Sequence, residues 1–326
     1  MNVMEPPAVD YQNTSVRPGW GQLPVGVREE ICGRLGPVVS VTVAGSGFTP
    51  AFAATLTNMD GQRFFVKAAD AVTEFGRANR REAAVLAALP AGLPVPHLCW
   101  VAVVDGWAVL CLSVIDGHLP GQPWTAADMD AALAAQAMIA KALACPPAVL
   151  AEAASGLGFA EYADQYLDTW RAAQRGEAGL PNGFAWTARH LDELSTLEGL
   201  VPGETAGVSS VMHFDLRADN IVVTTEGAVV IDWNWARSGP AWADTVLLLQ
   251  AAYGQLDIDP MLAAHPTTAR VSADVVDGVL AGFGGYMILA GQREHVESSP
   301  WLRTHQYAQG VRSMLWLAER RGWPVP

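Results

Sequence analysis

Residues 213–220 read HFDLRADN and residues 229–233 read VVIDW, and these two stretches decide the fold. Asp215 stands five positions before Asn220 and two after a histidine, and Asp232 follows an apolar strand-like run. Each acid alone is typical of a solvated turn or a strand-end cap. Together the features are independent coincidences, so the combined spacing predicts a functional site.

The spacing H-x-D-x-x-x-x-N, followed by an Asp at a strand end, resembles the catalytic loop and the metal-binding Asp of kinase-type phosphotransferases, which implies phosphoryl transfer. Such a reaction needs a carboxylate that orients and deprotonates the attacking hydroxyl, and oxygen ligands that hold Mg²⁺ against the phosphates of a nucleotide. We predict that Asp215 supplies the carboxylate and that Asn220 and Asp232 bind the metal. His213 is interpreted as a hydrogen-bonded scaffold of the loop, without a chemical role of its own.

Upstream of this site, the sequence predicts a small β-rich region behind a short helix over 24–35. Runs of β-branched and apolar residues alternate with turn signals, and one amphipathic helix stops at Pro90. The predicted order is β-β-β-α-β-β, with strands over 38–44, 51–58, 63–69, 98–104 and 107–114 and a helix over 74–89.

Downstream of residue 115 the pattern changes to long helices. The helical segments are 127–143, 160–175, 184–197, 242–253, 273–289 and 301–321, and two short strands, 221–224 and 228–232, flank a Glu-Gly turn. The change predicts two lobes, with a ligand in the cleft between them.

Residues 38–250, with the two stretches quoted first, resemble the aminoglycoside phosphotransferase and choline kinase-like family, small-molecule relatives of protein kinases. The resemblance implies a protein-kinase-like two-lobe α+β fold: an N-lobe over 1–114, with an antiparallel sheet and one helix, and a mostly helical C-lobe over 115–326. It also implies ATP, Mg²⁺ and a small-molecule acceptor with a free hydroxyl. The residues do not distinguish ATP from GTP.

In this family a strand lysine binds the α- and β-phosphates and pairs with a glutamate on the next helix. Lys67, in the strand FFVKA, matches that lysine, and it is one of only two lysines in the chain. Its partner by position is Glu82, with Glu74 as the second candidate. An edge-strand solubility charge is the alternative interpretation of Lys67, which its apolar neighbours disfavour.

Two further nucleotide contacts follow from the resemblance. Ser46 and Gly47 lie in the loop that would cover the phosphates, although short glycine-containing hairpins are common. The Ser113 carbonyl and the Ile115 amide would bind the purine as a hinge. An ordinary transition from strand to turn explains the same hinge residues nearly as well.

Arg217 stands where protein kinases often keep a basic residue near the transferred phosphoryl group, so we predict a catalytic role for it. A structural ion pair with Asp219 is the open alternative. Asp244 is expected to be a buried helix-start residue that braces the catalytic loop. Because no Ala-Pro-Glu segment follows Asp232, no protein substrate is expected.

Composition narrows the classes of binding partner and the cellular location to be expected. The 326 residues are 51% apolar and 16% charged, with a net charge of −13, which disfavours nucleic acid and anionic membranes as partners. The four cysteines form no Cys-x-x-Cys pair, and residues 1–10 carry acids and prolines where a signal peptide needs a basic start. We therefore expect a cytoplasmic protein with reduced thiols.

The acceptor is less well defined by the sequence. Resemblance to antibiotic-inactivating enzymes predicts an antibiotic, first an aminoglycoside, because an acid-lined cleft would concentrate a polycation, and second a nucleoside antibiotic. A metabolic kinase acting on choline, homoserine or a sugar remains an alternative, as does a catalytically silent nucleotide-binding relative. No residues for the acceptor can be assigned from the sequence.

Overall fold

The computed structural model describes residues 5–325. Residues 1–4 and residue 326, at the outer ends of the two predicted lobes, lie outside the described chain, as does the start of the 1–10 segment.

The N-terminal part is a five-stranded antiparallel sheet with the strand order β1-β2-β3-β5-β4. Its elements are α1 (Val25–Leu35), β1 (Val38–Val43), β2 (Phe52–Asn58), β3 (Arg63–Asp70), α2 (Glu74–Ala88), β4 (Leu98–Val104) and β5 (Trp107–Ser113). The order β-β-β-α-β-β is the predicted one.

The two faces of the sheet belong to different cores, because successive side chains of a strand point to opposite sides. On β5, Val109 and Cys111 pack with α1, whereas Leu110 and Leu112 belong to the large core shared with α2 and the C-terminal part. Lys67 on β3 pairs directly with Leu110. Its side chain therefore lies on the face that looks toward the C-terminal part.

The C-terminal part is mostly helical, with two small two-stranded antiparallel sheets, one formed by β6 with β9 and the other by the hairpin of β7 with β8. Its elements are α3 (Ala126–Ala142), α4 (Ala148–Ala153), α5 (Phe159–Tyr166), α6 (Thr169–Gln174), α7 (Leu191–Thr205), β6 (Val211–Met212), β7 (Ile221–Thr224), β8 (Gly227–Val230), β9 (Arg237–Ser238), α8 (Ala241–Gln250), α9 (Asp259–Ala264), α10 (Ala273–Gly291) and α11 (Leu302–Arg321). A helical C-terminal part beside an antiparallel sheet confirms the predicted α+β class.

The structure divides the predicted helix over 160–175 into α5 and α6. Helical backbone stops at Leu167, and the next helix starts afresh because a carboxylate from α7 caps it. Glu198 Oε2 accepts hydrogen bonds from the backbone N–H groups of Trp170 (3.1 Å) and Arg171 (2.9 Å). Such a long-range cap satisfies helix N-terminal donors without any local sequence signal.

Within residues 5–325, α10 is the one helix long and apolar enough to cross a membrane by length and composition. It packs against α7 and α11, and 67% of its most apolar window is buried. It is thus a core helix of the C-terminal part.

Candidate active site

The predicted catalytic loop, residues 213–220 after β6, is held in place by a side chain of α8. Asp244, which is buried, accepts hydrogen bonds from the backbone N–H groups of His213 (2.7 Å) and Phe214 (2.8 Å). Burial raises the pKa of Asp244 to about 7, although these two hydrogen bonds oppose the shift. Asp244 therefore braces the loop as predicted.

His213 joins the loop to the strand that leads to Asp232. Its Nε2 donates to the Ile231 carbonyl (2.9 Å), and its Nδ1 accepts from the Asp215 N–H (3.3 Å). Burial lowers the pKa of His213 to about 4, so the ring is neutral at pH 7. These bonds agree with a scaffold interpretation of the histidine.

Asp215 is held through both carboxylate oxygens. Arg217 Nη1 donates to Oδ1 (2.8 Å), and Asn220 Nδ2 donates to Oδ2 (3.0 Å) and to the Asp215 carbonyl (2.8 Å). Burial raises the pKa of Asp215 to about 6, against the opposing effect of Arg217. Arg217 also binds Asp219 (2.6 Å), so it makes the ion pair of the alternative interpretation and touches the predicted base as well.

Lys67 reaches two carboxylates at once. Its Nζ lies 2.6 Å from Glu82 Oε2 on α2 and 2.8 Å from Asp232 Oδ1. Burial alone would lower the pKa of Lys67, but Asp232 and Glu82 outweigh it and raise the pKa above the usual value. Of the two candidate partners, the structure pairs Lys67 with Glu82, whereas Glu74 is exposed at the start of α2.

Asp232 and Asn220 offer oxygen atoms suited to Mg²⁺. Asp232 has a φ of +65°, and only its Oδ1 is engaged, by Lys67 and by Asn234 Nδ2. Asn220 donates through its Nδ2 to the Asp215 carbonyl. Its own backbone carbonyl accepts from the Ile231 N–H (2.9 Å), which ties Asn220 to the residue before Asp232. Asp232 Oδ2 and Asn220 Oδ1 receive no hydrogen bond from the described residues. Such free oxygens are the ligands Mg²⁺ prefers.

Among residues 5–325, no group of three or more His, Cys, Asp or Glu is placed to hold a metal ion. The Asp232 and Asn220 pair would therefore need phosphate or water oxygens to complete a coordination shell. Mg²⁺ usually retains several waters and is held by one or two carboxylates together with substrate phosphates.

The predicted nucleotide residues line one cleft between the sheet and the C-terminal part. The cleft has a volume of about 260 Å³, and its lining includes Ser46, Gly47, Lys67, Glu82, Ser113, Ile115, Asn220 and Asp232. Asp215 and Arg217 lie in an adjoining cavity, which shares Asp232 with the first. The structure thus brings together every predicted site residue across two connected spaces.

The loop between β1 and β2 is fastened by a residue that the sequence reasoning missed. Arg17 donates to the carbonyls of Ala44 (3.1 Å), Ser46 (2.7 Å), Thr49 (2.5 Å) and Ala51 (3.0 Å). Because these contacts turn the carbonyls of the loop toward Arg17, the guanidinium fixes the shape of the loop. Its partners lie 27 to 34 positions along the chain, so no local pattern signals the role.

The sequence also did not predict the second cavity, which contains Asp215 and Arg217 in its lining. It has a volume of about 290 Å³ and is lined mainly by aromatic and aliphatic side chains, several of them from α5 and α10. Its wall residues are Phe159, Tyr162, Phe214, Trp235, Val279, Phe283, Tyr286 and Met287.

Comparisons with known proteins cover most of the chain. The family model described as the phosphotransferase enzyme family matches residues 40–273. No curated protein matches the chain in sequence.

Solved structures share the fold at low sequence identity. Aminoglycoside phosphotransferase APH(4)-Ia is 13% identical with a TM-score of 0.58, covering 90% of this chain and 98% of its own. Amicoumacin kinase hAmiN is 13% identical with a TM-score of 0.55, covering 88% and 92%. A putative fructosamine-3-kinase from Thermobifida fusca is 20% identical with a TM-score of 0.51, covering 88% and 98%.

Proposed function

Because the chain belongs to the phosphotransferase enzyme family, we propose that it moves the γ-phosphoryl group of ATP to a hydroxyl of a small molecule. One observation carries the proposal. Lys67, bonded to Glu82 and Asp232, lies in the cleft that adjoins the cavity of Asp215, so a donor phosphate and an acceptor hydroxyl can meet between them. The two lobes are proposed to be residues 1–114 and 115–326.

In the proposed reaction the acceptor oxygen attacks the γ-phosphorus, the bond from phosphorus to the bridging oxygen breaks, and ADP leaves. The acceptor proton passes to Asp215. Arg217 and Asn220 orient the Asp215 carboxylate, and each oxygen keeps a lone pair for the acceptor because a carboxylate oxygen can accept two hydrogen bonds. Positioning and charge neutralisation supply most of the catalysis in such reactions.

We propose that Asn220 and Asp232 hold the Mg²⁺, which when bound neutralises charge on the phosphate oxygens. Lys67 is proposed to bind the α- and β-phosphates, Ser46 and Gly47 to cover them, and Ser113 and Ile115 to bind the purine. ADP and AMP-PNP in the structures of APH(4)-Ia support an adenine nucleotide, and GTP is the competing donor to be tested.

An antibiotic is the proposed acceptor, with resistance in the cytoplasm as the biological outcome. Support comes from structural neighbours, since APH(4)-Ia is solved with hygromycin B and the amicoumacin kinase hAmiN with Ami. A metabolic kinase is the second candidate, favoured by the likeness to putative fructosamine-3-kinases. A silent nucleotide-binding relative is disfavoured because a protein that only binds nucleotide has no use for Asp215.

The deciding experiment compares wild type with Asp215→Asn, using labelled ATP and a panel of hydroxylated acceptors. We expect the variant to lose about 10²- to 10⁴-fold in kcat, the usual effect of removing a general base, while nucleotide affinity changes by no more than a few-fold. Asp130→Asn, an exposed change of the same kind on α3, is the matched control. Near-normal kcat in Asp215→Asn would refute the assignment.

The resistance proposal has its own test. Expression of the wild type in a sensitive bacterium is expected to raise the inhibitory concentration of at least one hydroxylated antibiotic, and Asp215→Asn is expected to give no protection. Turnover of choline, homoserine or a sugar in vitro without any protection would move the assignment to the metabolic kinase.

A further inference from the structure

The cavity beside Asp215 is walled mainly by rings and aliphatic groups. On α10, Val279, Phe283, Tyr286 and Met287 stand at positions i, i+4, i+7 and i+8, so they form one stripe of the helix. The last three are only partly buried, because the stripe faces the cavity. An apolar helix of the core therefore presents its open face to the site of phosphoryl transfer.

The charged side chains that line this cavity do not suit a polycationic acceptor. Within the described chain, the only carboxylates in its lining are Asp215 and Asp232, and each is bonded to a cation, Arg217 or Lys67. The expected acid-lined cleft is thus not present around the acceptor space. The net charge of −13 lies elsewhere on the chain.

The acidic residues on α5 and directly after it do not make the cavity suitable for a polycation. Asp168, next to α5 in sequence, is paired with Arg171 (2.9 Å) and Arg175 (2.7 Å). Asp164 and Glu161 are exposed and are not part of the cavity lining. They cannot concentrate a cation beside Asp215 as well as unpaired lining carboxylates would.

A small quaternary ammonium compound fits poorly as well, because a cation of the chain already occupies the aromatic faces. The Arg237 guanidinium lies 3.8 Å from the centre of the Phe214 ring, 5.0 Å from that of Tyr162 and 5.5 Å from that of Trp235. Arg237 is 5% exposed, so its charge is held there. A second cation on these rings would meet like-charge repulsion at close range.

Phe214 adds an independent observation. Its φ is +70°, a left-handed conformation that glycine adopts freely and that costs a bulky residue conformational energy. The chain nevertheless places a phenylalanine directly before the predicted base, and its ring forms cavity wall next to Phe159 and Tyr162. Backbone strain of this kind is concentrated at ligand sites.

From these contacts we propose that the acceptor is an uncharged alcohol carrying an aromatic ring or ring system, held between Phe214 and the Phe283 and Tyr286 side chains of α10. The acceptor ring stacks on Phe283 or Tyr286 and packs against the edge of Phe214, because Arg237 already lies over the Phe214 face, and the hydroxyl points to Asp215. This inference rests on the proposed phosphotransferase function and narrows its acceptor class.

The test measures binding and turnover separately. Acceptor affinity is measured by calorimetry with Mg²⁺ and AMP-PNP present, and turnover with labelled ATP. The aromatic probes are phenyl β-D-glucoside, uridine, adenosine and 2-phenylethanol, and the cationic probes are hygromycin B and choline. We expect at least one aromatic probe to bind tenfold or more tightly than both cations, with an affinity that changes little between 50 and 500 mM salt.

Two variants show whether binding uses the proposed wall. Phe283→Ala removes a ring from α10, and Phe214→Gly removes a ring while relieving the positive φ. Both are expected to weaken binding of the aromatic probe about tenfold, whereas Leu289→Ala, exposed on the same helix, leaves it unchanged. Because Phe214→Gly relieves strain, it tests the wall even if Phe283→Ala folds poorly.

The outcomes separate the two proposals. Tighter binding of hygromycin B or choline, no binding of any aromatic probe, or equal binding by wild type and both ring variants overturns the aromatic acceptor. Binding of an aromatic probe without phosphorylation of any acceptor refutes the proposed function and leaves this site standing. Phosphorylation of hygromycin B alone, lost in Asp215→Asn, keeps the function and refutes the aromatic acceptor.

Discussion

The Phe48 ring lies over the guanidinium of Arg217, with 5.2 Å between Cζ and the ring centre. Phe48 belongs to the loop between β1 and β2, and Arg217 belongs to the catalytic loop, so the contact joins the two sides of the cleft. The Phe48 carbonyl also accepts from Ser299 Oγ (2.6 Å), and its ring lies 4.7 Å from that of His305. The loop is therefore fastened at its tip to the C-terminal part.

Phe48→Ala is expected to lower kcat and raise the KM for ATP, together by about two- to thirtyfold in kcat/KM. The reason is that a cation–π contact of roughly 0.5–2 kcal/mol holds the loop and orients Arg217 against Asp215. Steady-state kinetics provide the measurement, with Met59→Ala, exposed at the β2–β3 turn, as the control. Unchanged kinetics in Phe48→Ala would show that the contact does not position either loop.

One part of the candidate site can be predicted from the spacing of residues along the sequence. Asp215, Asn220 and Asp232 fall within 18 positions, and Lys67 and Glu82 are placed by one strand and the helix that follows it. Short chain segments with defined turn and strand geometry carry these residues to nearly fixed relative positions. Their prediction therefore did not need tertiary contacts.

The remaining features of the candidate site depend on tertiary contacts. Arg17 binds a loop some thirty residues away, and the wall of the proposed acceptor cavity comes from segments more than a hundred residues apart, represented by Phe159 and Phe283. Composition was misleading here, because a net charge of −13 suggested an acidic acceptor cleft, whereas ion pairs neutralise the acids next to Asp215. Charge counts do not locate charge.

Arg17→Lys is expected to weaken nucleotide binding several-fold while the fold is retained. A lysine keeps the positive charge but lacks the planar fork that reaches four carbonyl groups, so the loop over the predicted phosphate site loses its fixed shape. The dissociation constant for AMP-PNP is the measurement. Arg63→Lys, which alters an exposed ion pair with Asp116, is the matched control.

Equal AMP-PNP affinity in wild type and Arg17→Lys would show that the loop keeps its shape without the fork. Limited proteolysis gives a second readout that does not depend on the nucleotide. Faster cleavage between residues 44 and 51 is expected in the variant, and identical cleavage in both proteins would contradict the fastening role.

Asp232→Asn is expected to reduce the increase in melting temperature that Mg²⁺-ATP gives the wild type. Loss of the carboxylate removes the proposed metal ligand and the ion pair that holds Lys67, and weaker binding stabilises the folded state less at a given ligand concentration. Thermal shifts with Mg²⁺-ATP, and with ATP plus EDTA, measure both contributions. Asp116→Asn, at an exposed ion pair, is the control.

A smaller effect of Mg²⁺ on Asp232→Asn than on the wild type is the specific expectation for a metal ligand. If Asp232→Asn and wild type show the same gain from Mg²⁺ over EDTA, the residue does not bind the metal. If the increase in melting temperature is smaller in the variant only with ATP plus EDTA, Asp232 acts by holding Lys67 and does not bind the metal.

Glu198→Gln is expected to stabilise the protein at pH 8 and to leave it nearly unchanged at pH 5. Glu198 is buried on α7, with Oε2 capping α6 and Oε1 without a hydrogen bond, and burial raises its pKa to about 7. In the unfolded chain the carboxyl ionises near its usual pKa, so stability is lost as pH rises from about 4.5 through 7. A shift of this size corresponds to at most roughly 3.5 kcal/mol, since one pKa unit is about 1.4 kcal/mol. Melting temperatures of wild type, Glu198→Gln and the exposed control Glu204→Gln between pH 5 and 8 measure the effect. A difference between Glu198→Gln and wild type that stays constant over this range would show that Glu198 is ionised throughout.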